Sequence, residues 1–149
     1  MPSNLVANSK IVRHSNAVAA GTSTITPSAA IDMAGFESVT FLVAFGTITA
    51  SAVTSIEVHC SSDDGVGDSY TAMLGTNVAV ADTDDNLVAV VDVVRPAERY
   101  VKCIVNRGTA NAVVDGIIAI QTGAKSLPVT ADATTVGNEV HQAPAEGTA

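Results

Sequence analysis

Apolar and polar residues alternate with a period of two along most of this chain, the spacing that sends successive strand side chains to opposite faces. Over residues 36–48, Val39, Phe41, Val43 and Phe45 fall on one face and Ser38, Thr40, Leu42 and Ala44 on the other. Over 54–60, Ile56, Val58 and Cys60 oppose Ser55, Glu57 and His59. Residues 10–18, 100–106 and 112–122 read as further strands, and 70–80 as a weaker one broken at Gly75. Residues 87–94 are apolar nearly throughout and stop at Arg95-Pro96, because proline cannot donate to a ladder. Turns separate these runs at 61–68 (SSDDGVGD), 81–86 (ADTDDN) and Arg107-Gly108. Gly35 and Gly46 mark a turn and a bend around the longest strand. No segment shows capped helical periodicity. The prediction is all-β: one antiparallel β-sandwich, jelly-roll-like, of about seven or eight strands.

Composition supports this and adds a constraint. The 149 residues include 22 Val and 16 Thr but only 5 Leu, a balance that suits a pleated surface rather than a helix. Aromatic residues make up 3% and tryptophan is absent, so the core is built from small branched groups. Such a core buries less per residue than one anchored on rings, which predicts that neighbouring subunits supply part of the stability. Residues 10–125 carry the sandwich pattern. The ends, 1–9 and 126–149, lack it and read as N- and C-terminal arms: either frayed tails or extensions that order against another subunit, with Val129, Val136 and Val140 as anchors. No apolar run reaches the roughly 20 residues of a membrane span, and the start lacks the basic-then-apolar order of a signal peptide. A net charge of −8 argues against nucleic acid or an anionic membrane as partner.

The residues with chemical potential are few. Asp63, Asp64 and Asp68 crowd one turn and Asp82, Asp84 and Asp85 the other. Calcium takes six to eight oxygens, but the first turn departs from the EF-hand order and lacks its closing Glu. Asp and Gly also recur in turns for conformational reasons, which is the reading preferred here. His59 with Ser61 or Ser62 and Asp63 suggests a triad only by adjacency, and His14 and His141 bring no partner. Glu37, Glu57 and Asp115 are carboxylates that would have to converge in space for glycoside chemistry. Cys60 and Cys103 read as small buried hydrophobes, with a disulfide open only if their strands face one another. The expectation is no catalytic residue, no resident metal and no cofactor. Four of the seven basic residues, Arg95, Arg99, Lys102 and Arg107, fall within thirteen positions. They read either as a solvated strand end or as a basic rim that meets an acidic neighbour, a second copy included.

The runs IDMAGFESVTFLVAFGTIT (31–49), SIEVHCSSDDG (55–65), YTAMLGT (70–76) and VVDVVRPAERYVKCIVNRGTANAVVDGIIAIQTGAKSLPVT (90–130) carry a resemblance. Over about residues 30–130 the chain resembles the capsid decoration, or cement, proteins of tailed bacteriophages, through turns and strand starts that are structural signatures. The resemblance implies a non-enzymatic virion protein on the outer surface of the capsid, a homotrimer bound to the major capsid protein. A tail, head-fibre or host-surface binding module of the virion is the alternative, and a hydrolase a distant third.

Overall fold

The computed structural model describes residues 4–143 and 145–148. The period-two runs become strands β1 (Lys10–Ser15), β2 (Val18–Gly21), β3 (Ile31–Asp32), β4 (Ser38–Ile48), β5 (Val53–Ser61), β6 (Thr71–Ala72), β7 (Val78–Val80), β8 (Val88–Val94), β9 (Tyr100–Gly108) and β10 (Ala112–Thr122). They build two antiparallel five-stranded sheets. Sheet A runs β1–β10–β4–β8, with β2 also paired to β10; sheet B runs β3–β9–β5–β6, with β7 also paired to β5. With each split edge taken as one strand, the chain changes sheet at every step except from β5 to the β6/β7 edge, the wiring of a jelly roll. The two inner faces close over one core, in which Phe41, Phe45, Ile56, Ile117 and the inward valines Val39, Val43, Val58, Val101, Val105 and Val114 are buried.

The split strands have local causes. The expected strand over 70–80 breaks because Gly75 takes φ +80° in the turn between β6 and β7. The strand expected over 10–18 breaks at a register shift beyond Arg13, so β1 and β2 pair with different halves of β10. Two expectations are corrected. Arg107-Gly108 does not turn: β9 runs through Gly108, which pairs with Val53, and the reversal follows at Thr109, at φ +65°. One helical turn does exist, α1 (Leu5–Asn8), capped by the Asn4 side chain, which accepts from the amides of Val6 and Ala7. It is too short to show periodicity in sequence.

β10 carries the feature that decides what the surface looks like. Ala112 and Val114 are buried, then Ile117, Ala119 and Gln121: the buried set passes from even to odd numbers. The register against β4 slips between Val114 and Gly116, a bulge that turns Ile118 and Ile120 outward. Gly46 makes room for it, since a Cβ there would sit 3.0 Å from Val113 Cγ1 and 3.2 Å from Asp115 Oδ1.

Candidate interaction surface

The acidic turns spend their carboxylates on the backbone. In the first, Asp63 accepts from the amides of Val66 (3.1 Å), Gly67 (2.7 Å) and Asp68 (3.0 Å), and these amides hold its pKa below the ordinary carboxylate value. Asp68 accepts from the amide and hydroxyl of Ser62 at 2.8 and 2.9 Å, and Asp64 from the Tyr70 hydroxyl. The left-handed pair Asp64 (φ +60°) and Gly65 (φ +80°) makes the reversal. In the second turn, Asp84 takes the Ala81 amide (3.0 Å) within the turn, while Asp82 takes the Ser51 amide (2.6 Å) and Asp85 that of Ile48 (2.7 Å), lashing the β7–β8 connection to the crossover from β4 in sheet A to β5 in sheet B. Among the described residues no three His, Cys, Asp or Glu side chains gather as a metal site.

The other chemical candidates are dispersed. The His59 imidazole pairs with Glu57 at 2.8 Å, whereas Ser61 is fully buried and donates its hydroxyl to the Asp68 carbonyl at 2.7 Å. Ser61 and Asp63 do bond to each other, the hydroxyl reaching Asp63 Oδ1 at 3.4 Å, but His59 is paired with Glu57 instead, so the three do not line up as a triad. Glu57 faces out from sheet B, Asp115 stands on β10 of sheet A, and Glu37 sits ahead of β4; the three do not converge. Both cysteines are free. Val58 pairs with Cys103 and Cys60 with Val101, so the thiols lie diagonally on neighbouring strands of one sheet rather than facing across the core. Burial pushes the Cys103 thiol up to about 12.

The basic group is not one rim. Arg107 is buried, and its guanidinium donates to the carbonyls of Ser23 (2.8 Å), Ala19 (2.9 Å) and Ala112 (2.7 Å), pinning β2 and the segment after it against β10. It acts as an internal clamp, with three of its five N–H donors spent on carbonyls inside the fold. Arg99 forms a two-pronged ion pair with Asp32, both bonds at 2.8 Å. Lys102 donates to the Ser28 carbonyl (3.2 Å) and stands 4.4 Å over the Tyr70 ring. Arg95, exposed and at φ +51°, ends β8.

The C-terminal arm begins on its own chain: the Val129 amide donates to the Ala7 carbonyl at 2.9 Å, and Asp132 caps a turn through Thr134 and Thr135. Val129 and Val136 are half-buried and Val140 exposed. An open cleft of about 410 Å³ separates residues 4–6 from 139–142. Residues 1–3 of the first arm and Pro144 and Ala149 of the second lie outside the described residues.

What the sequence reading missed is the contrast between the two outer faces. On sheet B, Ser55, Glu57, His59 and Asn106 form a polar network, with Asn106 and Asn77 both donating to the Ser55 hydroxyl. On sheet A the register aligns Ile11, Ile120, Thr40 and Asp92 in one row, with the Thr40 hydroxyl bonded to Asp92 at 2.9 Å, and Arg13, Ile118, Leu42 and Val90 in the next. Val90 is 50% exposed and Ile118 46%. A shallow apolar groove of about 220 Å³ runs over Leu42, Ala44, Val88 and Ile118 between Arg13 and Asp115. The signal was present: residues 87–94 are apolar on both faces, more than one core requires, but the β10 bulge that adds two isoleucines is not visible in spacing.

No protein-family model and no curated protein matches this chain. Among solved structures it is similar to the PBSX exported protein XepA, with a TM-score of 0.54 at 18% identity, the likeness covering 96% of this chain and 46% of that one. The chain thus spans about half the length of that neighbour, and what the two share is the fold.

Proposed function

We propose that this chain is a structural protein of a bacteriophage particle that binds the outside of the capsid and stabilises the major capsid protein lattice. The observation that carries the reading is the asymmetry of the sandwich: the outer face of sheet B is mostly a hydrogen-bonded polar surface with one exposed valine, Val53, at the start of β5, whereas sheet A exposes Val88, Val90 and Val94 on β8 and Ile118 on β10, either side of β4. Contiguous apolar patches of that kind on a soluble domain mark interaction surfaces. The phage context is supported by the family resemblance and by the fold shared with a phage-related exported protein. A rigid module repeated over a symmetric shell gains from avidity, so a modest contact at each copy is sufficient. In this reading sheet A faces the coat subunits, and the polar face of sheet B and the acidic turns face solvent.

The test is co-sedimentation with shells assembled from the coat protein encoded with this chain, together with the melting temperature of those shells. The wild-type chain is expected to pellet with the shells and raise their melting temperature. Ile118→Asp, which places a charge on the outward face without entering the core, is expected to abolish both effects while leaving the circular dichroism of the free chain unchanged. Full binding by Ile118→Asp would reject sheet A as the docking face, and absence of wild-type binding would reject the function.

A further inference from the structure

Four strand positions form the edges of the two sheets, and three of them are blunted. β3 has two residues; β6 and β7 have two and three and are separated by a turn; β1 and β2 are split by a register shift. Short, broken or bulged edges are how sandwiches avoid pairing with other chains. β8 is different. It runs seven residues beside β4 with no slip in register, ends sheet A, and carries a single charged side chain, Asp92. From this contrast we propose that β8 is an interface: it pairs antiparallel with β8 of a second copy about a two-fold axis at Val91, joining two A sheets into one.

The hydrogen-bond phase supports this. The Phe45 amide donates to the Leu87 carbonyl (2.9 Å) and the Arg95 amide to the Glu37 carbonyl (2.8 Å), so the odd-numbered residues of β8 turn their backbone groups toward β4. The backbone groups of Val88, Val90, Asp92 and Val94 point off the edge of the sheet, in position to complete a ladder. The axis at Val91 overlaps the whole of β8 with itself. It sets Val88 opposite the partner's Val94 and Val90 opposite the partner's Asp92, so the two aspartates do not meet. It also sets Arg95 opposite the partner's Leu87, at the foot of the turn holding Asp82, Asp84 and Asp85. The basic end of each edge therefore meets the acidic end of the other, twice, and this charge match selects a second copy over an unrelated strand. The two apolar outer faces become continuous, doubling the surface available to a larger partner. The pairing does not depend on the capsid reading, and it differs from the three-fold trimer that the family resemblance implies.

Sedimentation equilibrium of the full chain decides the matter. The wild type is expected to show a monomer–dimer equilibrium that weakens with salt. Val90→Asp sets like charges against the partner's Asp92 at both symmetric positions and is expected to weaken association about tenfold or more. Val90→Lys at the same exposed site sets opposite charges there and is expected to keep or strengthen the dimer. Circular dichroism of both variants should match the wild type, because Val90 is on the outer face. A wild type that stays monomeric at its highest soluble concentration, a trimer, or equal loss with Lys and Asp would each overturn the pairing. Dimerisation that survives Val90→Asp would do the same.

Discussion

The amide of Cys103 is satisfied by a side chain where a strand would ordinarily serve. Along the outer edge of β9, Ile31 pairs with Val101 and Ile25 bridges Val105, leaving a gap between them. The His14 Nε2 enters that gap from β1 of the other sheet and accepts from Cys103 at 3.1 Å. Its ring also packs against Phe41, with centroids 5.3 Å apart. Only a neutral imidazole can accept at that nitrogen, and burial, with Lys102 adding a smaller effect, lowers the His14 pKa from 6.5 to about 4. Below about pH 6.5 the unfolded chain binds a proton that the folded chain refuses. The stabilisation is therefore full above that pH and is lost as pH falls toward 4. Chemical denaturation of the wild type at pH 7 and pH 5 should show a loss of about 2 kcal/mol from this group, and His14→Gln should show much less pH dependence over the same interval. Arg107 plays the corresponding role for β2. Its planar fork reaches three carbonyls that a lysine ammonium cannot reach together. Arg107→Lys should lower the urea midpoint by an amount equivalent to roughly 1–3 kcal/mol with an unchanged m-value. A shift near zero would mean that water replaces the clamp at no cost.

At the scale of elements, the long strands were legible because their inner faces alternate without interruption: Val39, Phe41, Val43 and Phe45 are all buried as the pattern predicts. Two-residue pieces such as β3 leave no periodic trace, since their existence depends on a partner strand distant in sequence. The β10 bulge is hidden for another reason. Ile117, Ile118 and Ile120 are interchangeable by hydropathy, and only the slip opposite Gly46 decides which point inward. The same limit applies to chemistry. The crowding of Arg95, Arg99, Lys102 and Arg107 in sequence suggested one rim, but alternation along β9 and the reach of each side chain send them to a strand end, an ion pair, an aromatic face and the interior. The acidic turns were read correctly as turns because Asp and Gly act there through local backbone bonds, which sequence neighbours can supply.

For the whole molecule, the arms decide how much of the chain the sandwich needs. β10 ends at Thr122, and among the described residues the core cluster draws none from beyond it. Within the arm, the Val129 amide bonds to the Ala7 carbonyl and holds α1 in place, while the Lys125 bond to Gly35 belongs to the sandwich and stays when the arm is removed. A helix of one turn has no stability of its own and depends on such contacts. Removing residues 126–149 should therefore leave the melting temperature of the sandwich nearly unchanged while amide exchange at residues 6–8 accelerates. A large drop in melting temperature would instead mean that the arm closes the core. Shell binding by the truncated chain then separates the two roles open to the arm: retained affinity leaves docking to the flat face of sheet A, and lost affinity with an intact fold makes the arm itself the element that grips the lattice.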